Sequence, residues 1–151
     1  MNLDDLRASS PLLSRLDDPR FDLFESLSTE LVLAPDERLF RENDEARRFF
    51  IVVRGIIALE IPRPAKPDTT VQTIGSGELL GLSWRLSPHR WMWTARAMVE
   101  TKLAVFDAAG MRAACETDPE LDRLMWEIVA REASERLHHA RIQLLDLYGR
   151  G

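Results

Sequence analysis

A long, uninterrupted helix near the end of this 151-residue chain constrains the fold most strongly. The segment 118–147 contains no glycine, and Pro119 falls in its first turn, where proline is tolerated. Gly149 follows as a helix stop. About 29 helical residues form a rod of roughly 43 Å. The chain is therefore expected to carry one long, rod-shaped element over about residues 118–147.

Apolar residues follow two stripes along this helix. The first repeats at alternating spacings of four and three residues, which is typical of a coiled-coil seam between two helices. It comprises Trp126, Ala130, Ala133, Leu137, Ala140, Leu144 and Leu147. The second is expected to pack on the rest of the domain. It comprises Met125, Ile128, Val129, Ile142 and Leu145. Because a helix that packs only on its own domain needs one stripe, we predict a homodimer through this helix.

The middle of the chain consists of short apolar runs separated by turn signals. Two runs rich in β-branched residues flank Arg54-Gly55 and predict a hairpin there. The proline-rich segment 62–68 predicts an exposed loop. Several short strands at such intervals are typical of a β-sandwich or roll.

Helical patterns lie on both sides of the strands. At the start of the chain, apolar residues recur three or four apart, and Asp17 is placed to cap a helix. After the strands, Asp107 is placed to cap a short helix that precedes the long one. We therefore divide the chain into an N-terminal helical segment (1–27), a β-roll (28–106) and C-terminal helices (107–151).

Composition excludes several functions. The formal net charge of −5 argues against a nucleic-acid-binding surface. The single cysteine, Cys115, excludes an internal disulfide or a cysteine-ligated centre, and it is expected to be a small buried hydrophobe. His138 and His139 are adjacent and point about 100° apart on a helix, so they cannot chelate one metal. We predict no metal, cofactor or catalytic residues, and a cytoplasmic location without a signal peptide or membrane span.

Two stretches of the strand region carry motifs: FRENDEA (40–46) with FIVVRGIIAL (50–59), and IGSGELLG (74–81). The first resembles the turn and I-V-x-G-x-[VA] strand of the catabolite activator/FNR group of cyclic nucleotide-binding domains. The second is similar to the group's L-x-P-G-D-x-F-G approach to its phosphate-binding cassette. The resemblance covers residues 20–148. It implies a mainly β fold with flanking helices, in which a double-stranded, jelly-roll-like β-helix precedes a long dimerisation helix.

The resemblance also implies a ligand cassette, but the two ligand side chains of the family are missing from this sequence. In the family, a glutamate after the cassette glycine accepts from the ribose 2′-hydroxyl, and an arginine neutralises the cyclic phosphate. When Gly77-Glu78 matches the family's G-D turn, the cassette glycine is Gly81. The glutamate then falls on Leu82 and the arginine on Trp91. Since both ligand side chains have become hydrophobic, cyclic AMP and cyclic GMP are expected to bind weakly or not at all.

A second alignment stays open. It makes Gly77-Glu78 the cassette pair and Arg90 the phosphate ligand, so that the chain would be a genuine cyclic-nucleotide receptor. A third interpretation is a truncated transcription regulator of the same family, whose helix-turn-helix would follow the long helix. The leading interpretation is a stand-alone, dimeric regulatory or sensor module that is not an enzyme, does not bind DNA by itself and has an unidentified protein partner.

Three of the four tryptophans, Trp84, Trp91 and Trp93, crowd the cassette region. They indicate either an aromatic pocket for a planar or apolar ligand, or indoles that fill a vacated nucleotide pocket. We favour the second, since protein interiors tolerate few voids. Arg85 and Arg90 could attract an anion, but such loop arginines are more often solvated. Together the alignments give a candidate ligand-binding set of Gly77, Glu78, Gly81, Leu82, Ser83, Trp84, Arg90, Trp91 and Trp93.

Overall fold

Eight strands form two four-stranded antiparallel sheets that share one hydrophobic core. The computed structural model describes residues 1–149, apart from the side chains of Gln143, Leu147 and Tyr148. The strands are β1 (Ser28–Leu33), β2 (Arg38–Phe40), β3 (Arg48–Arg54), β4 (Ile57–Arg63), β5 (Lys66–Ile74), β6 (Leu79–Leu80), β7 (Thr94–Ala97) and β8 (Thr101–Asp107). One sheet has the order β1-β8-β3-β6 and the other β2-β7-β4-β5. The predicted mainly β roll is confirmed.

Helices lie before and after the roll in sequence. They are α1 (Asp4–Arg7), a 3₁₀ turn (Leu13–Arg15), α2 (Asp18–Leu27), α3 (Ala108–Thr117) and α4 (Pro119–Gly149). The Asp17 carboxylate caps α2 by accepting from the Arg20 N–H at 3.1 Å. The Asp107 carboxylate caps α3 by accepting from the Gly110 N–H at 2.8 Å. The two caps and the long C-terminal helix confirm the predictions made from local sequence.

The chain reversal at Gly55 corrects the predicted hairpin. Strands β3 and β4 belong to different sheets, so Arg54-Gly55 carries the chain from one sheet to the other. Gly55 has a φ of +104°, and a Cβ there would lie 2.7 Å from the Cα of Thr101. Only glycine fits this corner, because any side chain would meet the backbone of the neighbouring strand. The hairpin prediction was wrong because two adjacent strand patterns do not reveal which sheet each strand joins.

The proline-rich segment 62–68 also differs from its prediction as a loop. It continues β4 and β5 as a hairpin whose pairing extends to Arg63 and Lys66. Proline is tolerated here because β5 is an edge strand and β4 pairs with β7 only over 57–60. A hydrogen bond lost at Pro62 in β4 or at Pro67 in β5 therefore leaves the central pairing of the sheet intact.

Helix α4 packs on the rest of the domain with its first half only. Leu121, Met125 and Ile128 are buried in the common core. In contrast, every side chain that the structure describes from Leu137 to Asp146 is exposed. Ile142 and Leu145 were predicted to pack on the domain, but they are 46% and 69% exposed. That part of the prediction was wrong, because the helix extends beyond the surface on which its first half packs.

Candidate ligand-binding site

The candidate cassette is the loop that follows β6 (Leu79–Leu80), and its glycines set its path. Gly77 and Gly81 have φ values of +83° and +99°, in the left-handed region that favours glycine. A Cβ on Gly81 would lie 3.0 Å from the indole of Trp91 and 3.4 Å from the Cα of Phe49. The glycine thus lets the loop backbone lie directly against the Trp91 ring.

The Trp91 indole fills the space beside Gly81. It is 6% exposed, and it stacks on Phe40 with ring centroids 3.8 Å apart and planes 10° apart. Its backbone is held on both sides: the Trp91 N–H donates to the Asp44 carbonyl at 2.9 Å, and the Asn43 N–H donates to the Trp91 carbonyl at 2.8 Å. The position that the family resemblance assigns to the phosphate arginine therefore carries a fixed, buried aromatic ring.

The other cassette residues divide between the cavity and the core. Leu82 and Ser83 are buried and line the same cavity as Trp91. Trp93 is half-buried and also lines it. Trp84 instead lies wholly in the core, where it stacks on Phe49 with centroids 4.9 Å apart. Of the three clustered tryptophans, two therefore form cavity wall and one supports the fold.

The cavity lies between the cassette loop and α4, and its volume is about 170 Å³. Most of its wall is apolar. The residues that the structure brings together there include Gly81, Leu82, Ser83, Trp91, Trp93, Ala133, Arg136 and Leu137. The cavity is thus closed on one side by the same helix face that carries the predicted dimer seam.

Arg136 is the charged group in this cavity, and sequence analysis did not single it out. Its Nε is buried and has no hydrogen-bond partner, while Nη2 reaches the Leu79 carbonyl at a long 3.5 Å. Burial lowers the pKa of Arg136 from its usual range. One helical turn earlier, the Glu132 carboxyl is also buried, and burial raises its pKa. In the sequence, Arg136 continues the four-residue spacing that runs from Ile128 through Glu132, both of which are buried.

The residues of the second alignment lie outside this cavity. The exposed Glu78 caps its own turn, since its Oε1 accepts from the Gly75 N–H at 3.1 Å. The exposed Arg90 donates from Nη1 to the Asn43 carbonyl at 2.9 Å. Neither is among the residues that line the cavity. The structure therefore does not bring Glu78 and Arg90 together around it.

Arg85 differs from its expected solvated state. Its largely buried guanidinium forms an ion pair with Asp122 of α4, and its Cζ lies 4.5 Å from the ring centroid of Trp126. Arg112 donates to the Trp84 carbonyl from the adjoining helix. These contacts join the cassette loop to α3 and α4, so Arg85 holds structure together instead of facing an anion.

The predicted seam is exposed along its whole described length. Trp126, Leu137 and Leu144 are large apolar side chains on the surface, and Leu137 and Leu144 are 64% and 55% exposed. The small seam residues Ala130, Ala133 and Ala140 are exposed as well. The side chain of the last seam residue, Leu147, lies outside the described residues. The seam is thus a continuous stripe that its own domain does not cover.

Other candidate groups are arranged for structure. Cys115 is buried, and burial raises the pKa of its thiol above the usual value. His138 and His139 are exposed. Within residues 1–149, no cluster of three His, Cys, Asp or Glu side chains could hold a metal ion. None of the described helices is both long enough and apolar enough to cross a bilayer.

The chain thus combines an eight-stranded roll with a cavity between a glycine-containing loop and a long helix. The sequence profile of the cyclic nucleotide-binding domain matches residues 30–118, so the chain belongs to this family. No curated protein sequence matches the chain.

Solved structures show the same fold. A putative cyclic nucleotide-binding protein from Geobacter metallireducens superposes with a TM-score of 0.80 at 22% identity, covering 91% of this chain and 99% of that one. The N-terminal domain of a transcriptional regulator from Streptomyces coelicolor gives 0.72 at 26% identity, with 87% and 92% covered. The regulatory subunit of a cAMP-independent protein kinase A from Trypanosoma brucei gives 0.77 at 14% identity, with 95% and 50% covered. The predicted family and fold are confirmed.

Proposed function

We propose that this chain is a dimeric, non-enzymatic regulatory module of the cytoplasm that binds neither cyclic AMP nor cyclic GMP and does not bind DNA by itself. One observation carries the proposal: the buried Trp91 ring occupies the place where the family alignment puts the phosphate-binding arginine. The module senses another ligand or presents a surface to a partner protein.

Loss of the two ligand side chains weakens nucleotide binding for electrostatic reasons. A cyclic phosphate beside Gly81 would meet the Trp91 indole, which carries no charge to neutralise it. The ribose hydroxyl would face Leu82, which neither donates nor accepts a hydrogen bond. Each lost charged contact in a buried site costs about 2–5 kcal/mol. Two such losses turn a micromolar ligand into one that binds at millimolar concentration or weaker.

The size of the nucleotide also opposes its binding. Trp91 and Phe40 stack at 3.8 Å and leave a cavity of about 170 Å³ beside the cassette. An adenine base with its ribose and cyclic phosphate needs more room than this, so binding would require the stacked rings to separate. The regulatory subunit from Trypanosoma brucei has the same fold and is described as part of a cAMP-independent kinase.

Dimerisation follows from the uncovered seam. Leu137 and Leu144 lie two turns apart on the exposed second half of α4, where Leu137 also borders the cavity. The intervening Ala140 allows a second helix to approach closely. Exposed apolar stripes of this length on a helix are normally covered by a partner helix.

The proposal that this chain does not bind DNA by itself rests on its net charge. The formal net charge of −5 opposes the phosphate contacts that supply most non-specific affinity for DNA. A mobility-shift assay at low salt, where electrostatic affinity is exaggerated, should show no complex. Salt-sensitive binding of these 151 residues at submicromolar concentration would contradict this part of the proposal.

Isothermal titration calorimetry with cyclic AMP and cyclic GMP tests the nucleotide part. We expect no binding below millimolar concentration for the wild-type chain. The double variant Leu82→Glu/Trp91→Arg restores both family ligands and should bind cyclic AMP more tightly than the wild type. Met98→Arg, which adds an arginine at an exposed position outside the cavity, is the control and should not. A wild-type dissociation constant below about 10 μM that Arg90→Ala abolishes would establish the Glu78/Arg90 receptor instead.

A further inference from the structure

Arg136 is a partly buried cation whose Nε is buried without a hydrogen-bond partner. It borders the cavity between the cassette loop and α4, its Nε has no hydrogen-bond partner, and its contact to the Leu79 carbonyl is long at 3.5 Å. A buried polar group without a partner is unusual in a folded protein and calls for an explanation, such as a missing ligand.

Neighbouring carboxylates do not satisfy this cation. Glu132, Glu78 and Glu135 are close enough to act on Arg136 electrostatically. However, none of the ion pairs between described residues includes Arg136. Other arginines of this chain are treated differently: Arg96 pairs with Glu60 at 2.9 Å, and Arg20 pairs with Asp118 at 2.8 Å. The Nε of Arg136 thus stays available for a direct contact with an anion, which none of these carboxylates makes.

The rest of the cavity selects an apolar body. Its walls include Leu82, Trp91, Trp93 and Leu137, and its volume is about 170 Å³. An apolar cavity of about 150 Å³ is large enough for a benzene ring. The flat indole surfaces favour an aromatic ring that can stack on them. The cavity therefore fits one ring, with the Arg136 cation at its edge.

We propose that this cavity binds a small aromatic carboxylic acid, with its ring between the tryptophans and its carboxylate on the Arg136 guanidinium. The proposal rests on the proposed sensor function and names its ligand class. Arginine pairs with a carboxylate through two parallel N–H···O bonds, which supply both affinity and orientation. The anchor lies on α4, on the opposite side of the cavity from the family's cassette.

Phenylacetate and its neutral analogue phenylacetamide are the probes, followed by calorimetry and by the fluorescence of the wall tryptophans. Wild-type protein should bind phenylacetate with a submillimolar dissociation constant and at least about tenfold more tightly than phenylacetamide. Arg136→Gln should remove this preference, because the amide carries no charge. Arg131→Gln, an exposed arginine of the same helix, is the matched control and should keep it.

Two results would overturn the proposal: a dissociation constant of about 1 mM or weaker for phenylacetate and wild-type protein, or equal binding of acid and amide. The comparison of phenylacetate with phenylacetamide uses wild-type protein, so it tests the proposal even when the Arg136→Gln variant does not fold. A parallel titration with cyclic AMP separates the two proposals. Tight cyclic AMP binding refutes the proposed function, whereas failure of phenylacetate alone refutes only this ligand class.

Discussion

Placing charge in the seam of α4 should convert the protein from a dimer to a monomer. In the double variant Leu137→Glu/Leu144→Glu, the two exposed leucines of the predicted seam become carboxylates. Two such variant helices side by side would place four negative charges in an apolar contact. The fold of each domain should survive, because neither residue belongs to the common core.

The magnitude follows from the exposed fractions. Complete burial of a leucine is worth about 1.5–3 kcal/mol, and Leu137 and Leu144 have 64% and 55% of their surface left to bury. Counted over two protomers, the loss is about 4–7 kcal/mol, before any repulsion between the new carboxylates. Since 1.4 kcal/mol is a factor of ten, the dissociation constant should rise by about a thousandfold or more.

Sedimentation velocity at micromolar concentration is the assay. We expect a dimer for the wild type and a monomer for Leu137→Glu/Leu144→Glu. The control His139→Glu/Ile142→Glu also adds two carboxylates, but Ile142 lies about 140° around the helix from Leu137, so this variant should stay dimeric. A wild-type protein that sediments as a monomer would refute the reasoning, as would a control that dissociates as readily as the seam variant.

Three further predictions concern stability. Trp91→Ala removes the ring stacked on Phe40 and should lower the urea-unfolding free energy by about 3–5 kcal/mol; a loss under 1 kcal/mol would mean that the indole does not fill the site. Arg96→Met leaves the buried Glu60 carboxylate without its arginine and should cost about 3–5 kcal/mol in the same assay; a loss under about 1 kcal/mol would show that the pair contributes little. The Arg20 hydrogen bond lowers the pKa of Asp118. The Arg20–Asp118 hydrogen bond therefore stabilises the fold above about pH 4, which is the pKa of an aspartate in the unfolded chain. This stabilisation is lost as the pH falls through the lower pKa that Asp118 has in the folded protein. Arg20→Gln should make the urea-unfolding free energy depend less on pH below about pH 4. The same pH dependence in the variant and the wild type would contradict this prediction.

Local sequence patterns predicted the features that depend on neighbours along the chain. Asp17 and Asp107 cap helices because a carboxylate at that position reaches an N–H three residues later in any helix. The uninterrupted segment 118–147 predicted α4 because nothing within it breaks a helix. The motif at 74–81 likewise led to the correct family, since its turn residues have a local conformational role.

The candidate site was only partly accessible to the same reasoning. Trp91 and Leu82 could be found because a family alignment assigns positions without coordinates. Arg136 could not, because nothing in the sequence shows that the Nε of this helical arginine is buried beside the cassette loop. Trp84 and Trp91 were indistinguishable in sequence, yet one packs in the core and the other lines the cavity.

The sequence by itself determined the period of each segment, the caps and the family, because these depend on interactions over a few residues. Only the tertiary structure decided which strands share a sheet across Gly55, where α4 leaves the domain, and which arginine borders the cavity with a buried, unpartnered Nε. Those outcomes depend on contacts between residues far apart in the chain, such as Gly55 with Thr101 and Arg136 with Leu79. A local pattern carries no information about such contacts, since burial is a property of the whole packed fold.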